Sequence, residues 1–164
     1  MNITNDINNS IENLSEEELD AIVKKARYEI FALYERYTRG DVEDFLRGGC
    51  AIFANMLYNL FPNDATVYCS DHHAVTKIGN HFYDADDCTR DEDMLEAIKN
   101  GVFSECNLKT KEGRDYFYFF SDSCLYSDTG RYGETIERIV NEVKSNLGLT
   151  YSTSDDSKLL LTIN

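Results

Sequence analysis

Gly48-Gly49-Cys50-Ala51-Ile52-Phe53-Ala54-Asn55-Met56-Leu57-Tyr58-Asn59-Leu60-Phe61 is the stretch that decides the reading. From Ala51 onward it is apolar on nearly every side, so as a helix it has no face for water and belongs in a core. The glycine pair breaks the chain just ahead of it, and Pro62-Asn63-Asp64 ends it. Cys50 is thereby placed at a helix N-terminus, where backbone N–H groups without intrahelical partners and the helix dipole favour a thiolate. That is the position for a nucleophilic cysteine. The glycines let a substrate backbone approach closely and expose N–H groups that can hold an oxyanion. A buried Cys on an apolar helix is also an ordinary small core residue, so the chain that follows has to decide between the two.

Downstream, Ala65 to Cys69 reads as a strand. His73 to Ile78 and His81 to Ala85 read as a hairpin turning at Gly79-Asn80. A two-residue loop sets His73 opposite Asp86 and Val75 opposite Asp84, and a slipped register sets His73 opposite Asp84. In both cases His73 shares a face with Asp84 and Asp86, because strand side chains alternate, while His72 points to the other face. A histidine held by a carboxylate and brought against a helix-borne cysteine is the arrangement for activating a thiol. The imidazole takes the thiol proton and returns one to the leaving group, and the carboxylate orients the ring and favours the imidazolium. The plain alternative is a polar strand end with solvated acids.

The order Gly48-Gly49-Cys50-Ala51-Ile52-Phe53-Ala54, His73-Ala74-Val75 and Phe82-Tyr83-Asp84-Ala85 resembles the papain-like and transglutaminase-like cysteine peptidase superfamily. There the nucleophile begins a core helix, the His follows on a strand and an Asp or Asn on the next. The resemblance implies Cys50 as nucleophile, His73 as general base and acid, and Asp84 as orienting carboxylate, with Asp86 as the alternative third member. It spans only the region from Gly48 to Ala85. Relatives of this small type often carry a Gly where this chain has Asp87, and no Gln or Asn upstream of Cys50 serves as a side-chain oxyanion donor. That role falls to backbone N–H groups, including that of Cys50.

Around this centre, residues 1–14 are Asn-rich, carry no pattern and read as a flexible lead-in; residues 15–164 read as a single α+β domain. Ser15-Glu16-Glu17-Glu18 is a capping box that opens a helix to about Tyr37, stopped by Gly40. Its apolar stripe is Leu19, Ile22, Val23, Ala26, Ile30, Leu33, Tyr34 and Tyr37. Asp41 caps a short turn through Arg47. Thr89-Arg90-Asp91-Glu92 reads as a second capping box, opening a helix through Asn100 that Gly101 closes. The aromatic run 115–120 predicts a strand. Arg131 to Leu147 predicts an amphipathic helix ended by Gly148, and residues 149–164 a terminal strand around Leu159-Leu160-Leu161 or a loose tail. The expected architecture is a papain-like core: a helix on a small antiparallel sheet, with further N- and C-terminal helices.

Composition narrows the partners. The chain has 164 residues, with 16 Lys plus Arg against 30 Asp plus Glu and a net charge of −14. Without a basic patch, such a surface repels phosphate backbones and anionic membranes. No apolar run approaches the roughly 20 residues of a membrane span, and Met1-Asn2-Ile3-Thr4-Asn5-Asp6 has no secretory character, so a cytoplasmic protein is expected. The five cysteines, Cys50, Cys69, Cys88, Cys106 and Cys124, are scattered and odd in number, which argues against a disulfide framework. Cys106 and Cys124 read as packing residues. Cys69, Cys88 and His81 are the weak candidate for a structural metal, but no Cys-x-x-Cys or helical His pair supports one, so no metal and no cofactor are expected. The aspartates at 84, 86, 87, 91 and 93 lack the ordered Gly and terminal Glu of an EF-hand. Two functions remain. One is a Cys-His-Asp acyl-transfer enzyme (peptidase, amidase, deamidase or transglutaminase) acting on a protein or peptide, a basic one fitting the charge. The other is a non-enzymatic acidic protein that occupies a basic surface of a partner.

Overall fold

The computed structural model describes residues 14–46, 49–86, 89–124 and 129–149, the side chains of 118–133 apart. The elements in chain order are α1 (Glu16–Thr38), α2 (Val42–Leu46), α3 (Cys50–Leu60), β1 (Ala65–Cys69), β2 (Ala74–Ile78), β3 (His81–Tyr83), α4 (Asp91–Lys99), β4 (Ser104–Cys106), α5 (Lys111–Cys124) and α6 (Thr129–Leu147). The architecture is α+β: helices packed on a four-stranded antiparallel sheet of order β3-β2-β1-β4. Among the described residues no helix is long and apolar enough to cross a membrane.

The capping box at Ser15 forms as expected. Ser15 Oγ accepts the Glu18 N–H at 3.2 Å, and the Glu18 carboxylate accepts the Ser15 N–H at 2.8 Å. Satisfying those donors contributes about 1 kcal/mol to α1. The stripe Val23, Ala26, Ile30, Leu33 and Tyr34 is buried, with Leu19, Ile22 and Tyr37 packed at its margin. At its far end the left-handed cap falls on Arg39, one residue before the expected Gly40.

α3 is buried along its length except at Asn55, as its apolar sequence requires. Each large side chain so removed from water contributes about 1.5–3 kcal/mol. α2, α5, α6 and one face of the sheet surround it, and Phe31 of α1 stacks on its Phe53. That face carries Ala65, Val67 and Cys69 of β1, Ala74 and Ile78 of β2, and Cys106 of β4. The opposite face carries Val75 and Phe82, which pack on Met94 of α4 together with Tyr68, Ile98 and Phe103. Strand alternation thus divides the residues of one hairpin between two apolar clusters. The hairpin register Thr76↔Tyr83, Lys77↔Phe82 and Ile78↔His81 is that of the two-residue loop, with Gly79 at φ 61°.

Several expectations are corrected. The run 115–120 lies in α5, not in a strand. Thr110 Oγ1 accepts the Gly113 N–H at 3.1 Å, and Lys111 pairs with Asp115 at 2.8 Å one turn on. This start, with burial of Phe117 and exposure of Tyr116, outweighs aromatic β-propensity. The fourth strand, Ser104–Cys106, was not anticipated, because three residues with Glu105 in the middle carry no readable alternation. Nor does the second capping box form: the residue ahead of α4 is Arg90, with no side-chain cap. Residues 1–13 of the expected lead-in over 1–14, and the segment 150–164, lie outside the described residues.

Candidate active site

α2 and α3 are joined so tightly that the residue ahead of Cys50 has to be glycine. The Gly49 N–H donates to the Asp44 carbonyl at 2.9 Å, and a Cβ on Gly49 would stand 2.6 Å from that oxygen. This corrects the expectation that the N–H groups of both glycines serve an oxyanion, since that of Gly49 is committed to α2. The Cys50 N–H occupies the first helical position, where no intrahelical acceptor exists. The Cys50 side chain belongs to the main core and is buried.

His73 sits one residue ahead of the β2 ladder, whose last pair is Cys69↔Ala74. A tight turn fixes its backbone. Ser70 N–H donates to the His73 carbonyl at 2.8 Å, and Ser70 Oγ accepts the His73 N–H at 3.1 Å. The imidazole Nε2 is hydrogen-bonded to Asp84 Oδ2, and the Cys50 thiol lies near enough to the same ring to help raise its pKa. With Nε2 committed to Asp84, Nδ1 is the nitrogen left to face sulfur. Phe103 meets the ring edge-on with centroids 6.4 Å apart.

Asp84 lies just past β3 and is buried. Besides His73, its Oδ2 accepts from the Thr89 hydroxyl at 3.5 Å and its Oδ1 from the Asp86 N–H at 3.1 Å. The next carbonyl, that of Ala85, is held by Arg27 Nη2 at 2.9 Å, with the guanidinium over the Phe31 ring. Asp86 is exposed, so of the two candidate acids the chain brings Asp84 to the imidazole. The register sets Val75, not His73, opposite Asp84. The pair meets diagonally because both residues have left the ladder and their backbones are set by turns rather than by strand pairing.

The surroundings raise the pKa of His73 to about 10. The hydrogen bond to Asp84 is the largest cause and the Cys50 thiol the second, while burial of the ring works the other way. One imidazole is thus tied to a carboxylate and has a thiol beside it.

The remaining candidates part company. His72 is exposed. His81 is bonded through Nδ1 to Asp91 Oδ2 at 2.7 Å, and Cys69 lies against Cys106. Cys88 is outside the described residues, within which no group of three His, Cys, Asp or Glu is placed to hold a metal ion. A cavity of about 410 Å³ borders Asp84, lined also by Arg27, Tyr83, Asp86 and Arg90, but neither Cys50 nor His73 lines it.

Three supporting residues escaped the sequence reading. Ser70 carried a signal, since a serine opening a turn bonds backbone N–H groups two or three residues on. Arg27 carried one too: a cation amid the apolar stripe of α1 marks a buried polar task. Phe103 follows α4 with no local pattern. No protein-family profile, curated protein or solved structure matches the chain, so the geometry of the site carries its functional reading.

Proposed function

We propose that the protein is a thiol-dependent acyl-transfer enzyme with a papain-like or transglutaminase-like core, in which Cys50 is the nucleophile, His73 the general base and acid, and Asp84 the orienting carboxylate. The observation that carries this reading is the single imidazole hydrogen-bonded to the buried Asp84 carboxylate with the Cys50 thiol beside it. In the working state His73 holds the proton and sulfur the negative charge, at the N-terminus of α3 where the dipole favours an anion. The sulfur attacks an amide or thioester carbonyl carbon, forming the C–S bond, and the oxyanion is received by the Cys50 N–H. His73 passes its proton to the departing amine or thiol as that bond breaks. Water or an amine then gives its proton to His73 and attacks the thioacyl carbon, expelling the sulfur. The net charge of −14 favours a basic protein or peptide as the acyl donor or acceptor and steers its encounter. A cytoplasmic location goes with the reading.

The test is the rate of iodoacetamide alkylation at each cysteine against pH, on the native protein and on His73→Ala. The expected result is that Cys50 is alkylated at about pH 6 at least ~10-fold faster than the other thiols, and that His73→Ala removes the advantage. Equal, ordinary behaviour of Cys50 in both proteins would sink the enzyme reading in favour of an acidic protein that covers a basic partner. A screen of amide and thioester substrates follows the first outcome, a search for a basic binding partner the second.

A further inference from the structure

Cys69 and Cys106, which the sequence presented as unrelated residues, are brought together by the sheet. The β1–β4 register pairs Val67 with Cys106 and Cys69 with Ser104. The two cysteines are therefore diagonal neighbours on one face, both directed into the main core. Both are buried and neither is in a disulfide, and Cys69 lies near enough to Cys106 to lower its pKa. Cys106 Sγ also donates to the Gly113 carbonyl at 3.2 Å. Cys106 thereby joins the pair to the first turn of α5. Nothing in the proposed acyl-transfer chemistry uses it.

We propose that Cys69 and Cys106 form a redox-sensitive dithiol, which a peroxide closes into a disulfide across β1 and β4. Diagonal neighbours stand about 7–8 Å apart, just beyond the usual span of a disulfide, so closure asks β4 to shift towards β1. Access is provided by the strand itself: β4 is three residues long and lies at the edge of the sheet, where local opening costs least. Cys69 draws the Cys106 thiol below its ordinary pKa, against the effect of burial, which marks Cys106 as the sulfur that reacts first.

The Cys106 sulfur attacks one peroxide oxygen, the O–O bond breaks, and a sulfenic acid and one water result. The Cys69 sulfur then displaces the hydroxyl: the S–S bond forms, the S–O bond breaks, and a second water leaves with the Cys69 proton. Two thiols are oxidised by two electrons and one peroxide is reduced. The disulfide takes away the proton that Cys106 donates to Gly113, so oxidation releases the start of α5 from β4. It also ties β1 one residue before Ser70, whose side chain positions His73.

The inference stands apart from the Cys50 reading, and its test is run on the full-length protein both native and as Cys50→Ser. Each is exposed to hydrogen peroxide, quenched, unfolded in N-ethylmaleimide, digested and mapped by mass. The expected product in both is one cross-linked peptide joining Cys69 to Cys106, lighter by about 2 Da than its two reduced parts and reopened by dithiothreitol. Cys106→Ala, checked for native circular dichroism, should leave Cys69 open to maleimide after the same treatment. The proposal is overturned if Cys69 and Cys106 stay as reactive towards maleimide as in untreated protein, or if either joins Cys88 or Cys124 as readily as it joins the other.

Discussion

Two histidine–aspartate pairs sit at opposite ends of the same hairpin, and they differ in what surrounds them. At the open end, His73 is bonded to an Asp84 whose side chain is 6% exposed, and a thiol lies beside the imidazole. At the loop end, His81 is bonded to Asp91 with the two side chains 40% and 36% exposed, and the second oxygen of Asp91 accepts the Phe82 N–H at 2.8 Å. The same two residue types therefore serve different ends. The second pair fastens the start of α4 to β3. The first withdraws a carboxylate from water and aims it at a ring that also faces sulfur, which is where an imidazole's protonation is tuned. An imidazole–carboxylate contact alone marks no chemistry; burial of the acid and a third partner do.

Removing the acid from each pair gives the largest expected contrast. Asp84→Ala strips the partner from a protonated imidazole and removes the acceptor of the Asp86 N–H and the Thr89 hydroxyl. Loss of one member of a buried pair costs about 3–5 kcal/mol, and the third of the imidazole open to water reduces this to roughly 2–3 kcal/mol. Asp91→Ala loses a screened contact and one hydrogen bond to a backbone N–H, so about 1 kcal/mol is expected. Urea unfolding of both variants at neutral pH measures the difference. Equal losses would erase the distinction between the pairs.

A sharper comparison follows from protonation. The His73 pKa is raised from 6.5 to about 10, so the folded state holds its proton more tightly than the unfolded chain does. A group of that sign contributes stability that is fully present below the unfolded value near 6.5 and is lost as pH rises through about 10. Native protein should therefore lose, between these limits, a stability increment that His73→Gln lacks throughout. Nitrogen chemical shifts of the ring should show an imidazolium at neutral pH. In Asp84→Asn the His73 midpoint should fall, because the largest raising cause is gone, while Asp91→Asn should leave it in place. A midpoint indifferent to Asp84 would contradict the contact that ties the site together.

How much of this the sequence disclosed depends on whether the determinant was local. The core helix from Cys50, the capping box at Ser15 and the Gly79-Asn80 register were legible because each rests on residues close together in the chain. Cys50, His73 and Asp84 were legible as types at readable positions, although strand parity misdescribed how His73 and Asp84 meet, since both lie off the ladder. The run 115–120 misled because aromatic propensity says nothing of Thr110, six residues before Tyr116, whose hydroxyl begins the helix. The glycine ahead of Cys50 reads from sequence as an opening for substrate, yet its N–H and its missing Cβ answer to Asp44, a contact visible only once α2 folds back. The Cys69–Cys106 contact depended on a strand too short to recognise, so no inspection of cysteine spacing could have found it.

The smallest expected effect isolates what holds His73 in position from what tunes it. Ser70 touches neither the thiol nor the carboxylate through any hydrogen bond described; its Oγ receives the His73 N–H at 3.1 Å and the His72 N–H at 3.4 Å. Ser70→Ala keeps the backbone bond from Ser70 to the His73 carbonyl, so the turn survives with about 1 kcal/mol lost. If this turn aims the ring, alkylation of Cys50 near neutral pH should slow by roughly 3- to 10-fold, less than in His73→Ala, as expected for loosened alignment. Ser70→Thr, which keeps the hydroxyl, should restore most of the rate. His81 lies on β3 and has no such turn, so its bond to Asp91 should be unmoved by either change, as its ring shifts would show. A Cys50 rate unchanged in Ser70→Ala would leave Asp84 alone to aim the imidazole, and the open end of the hairpin would then be ordered by its carboxylate as the loop end is by Asp91.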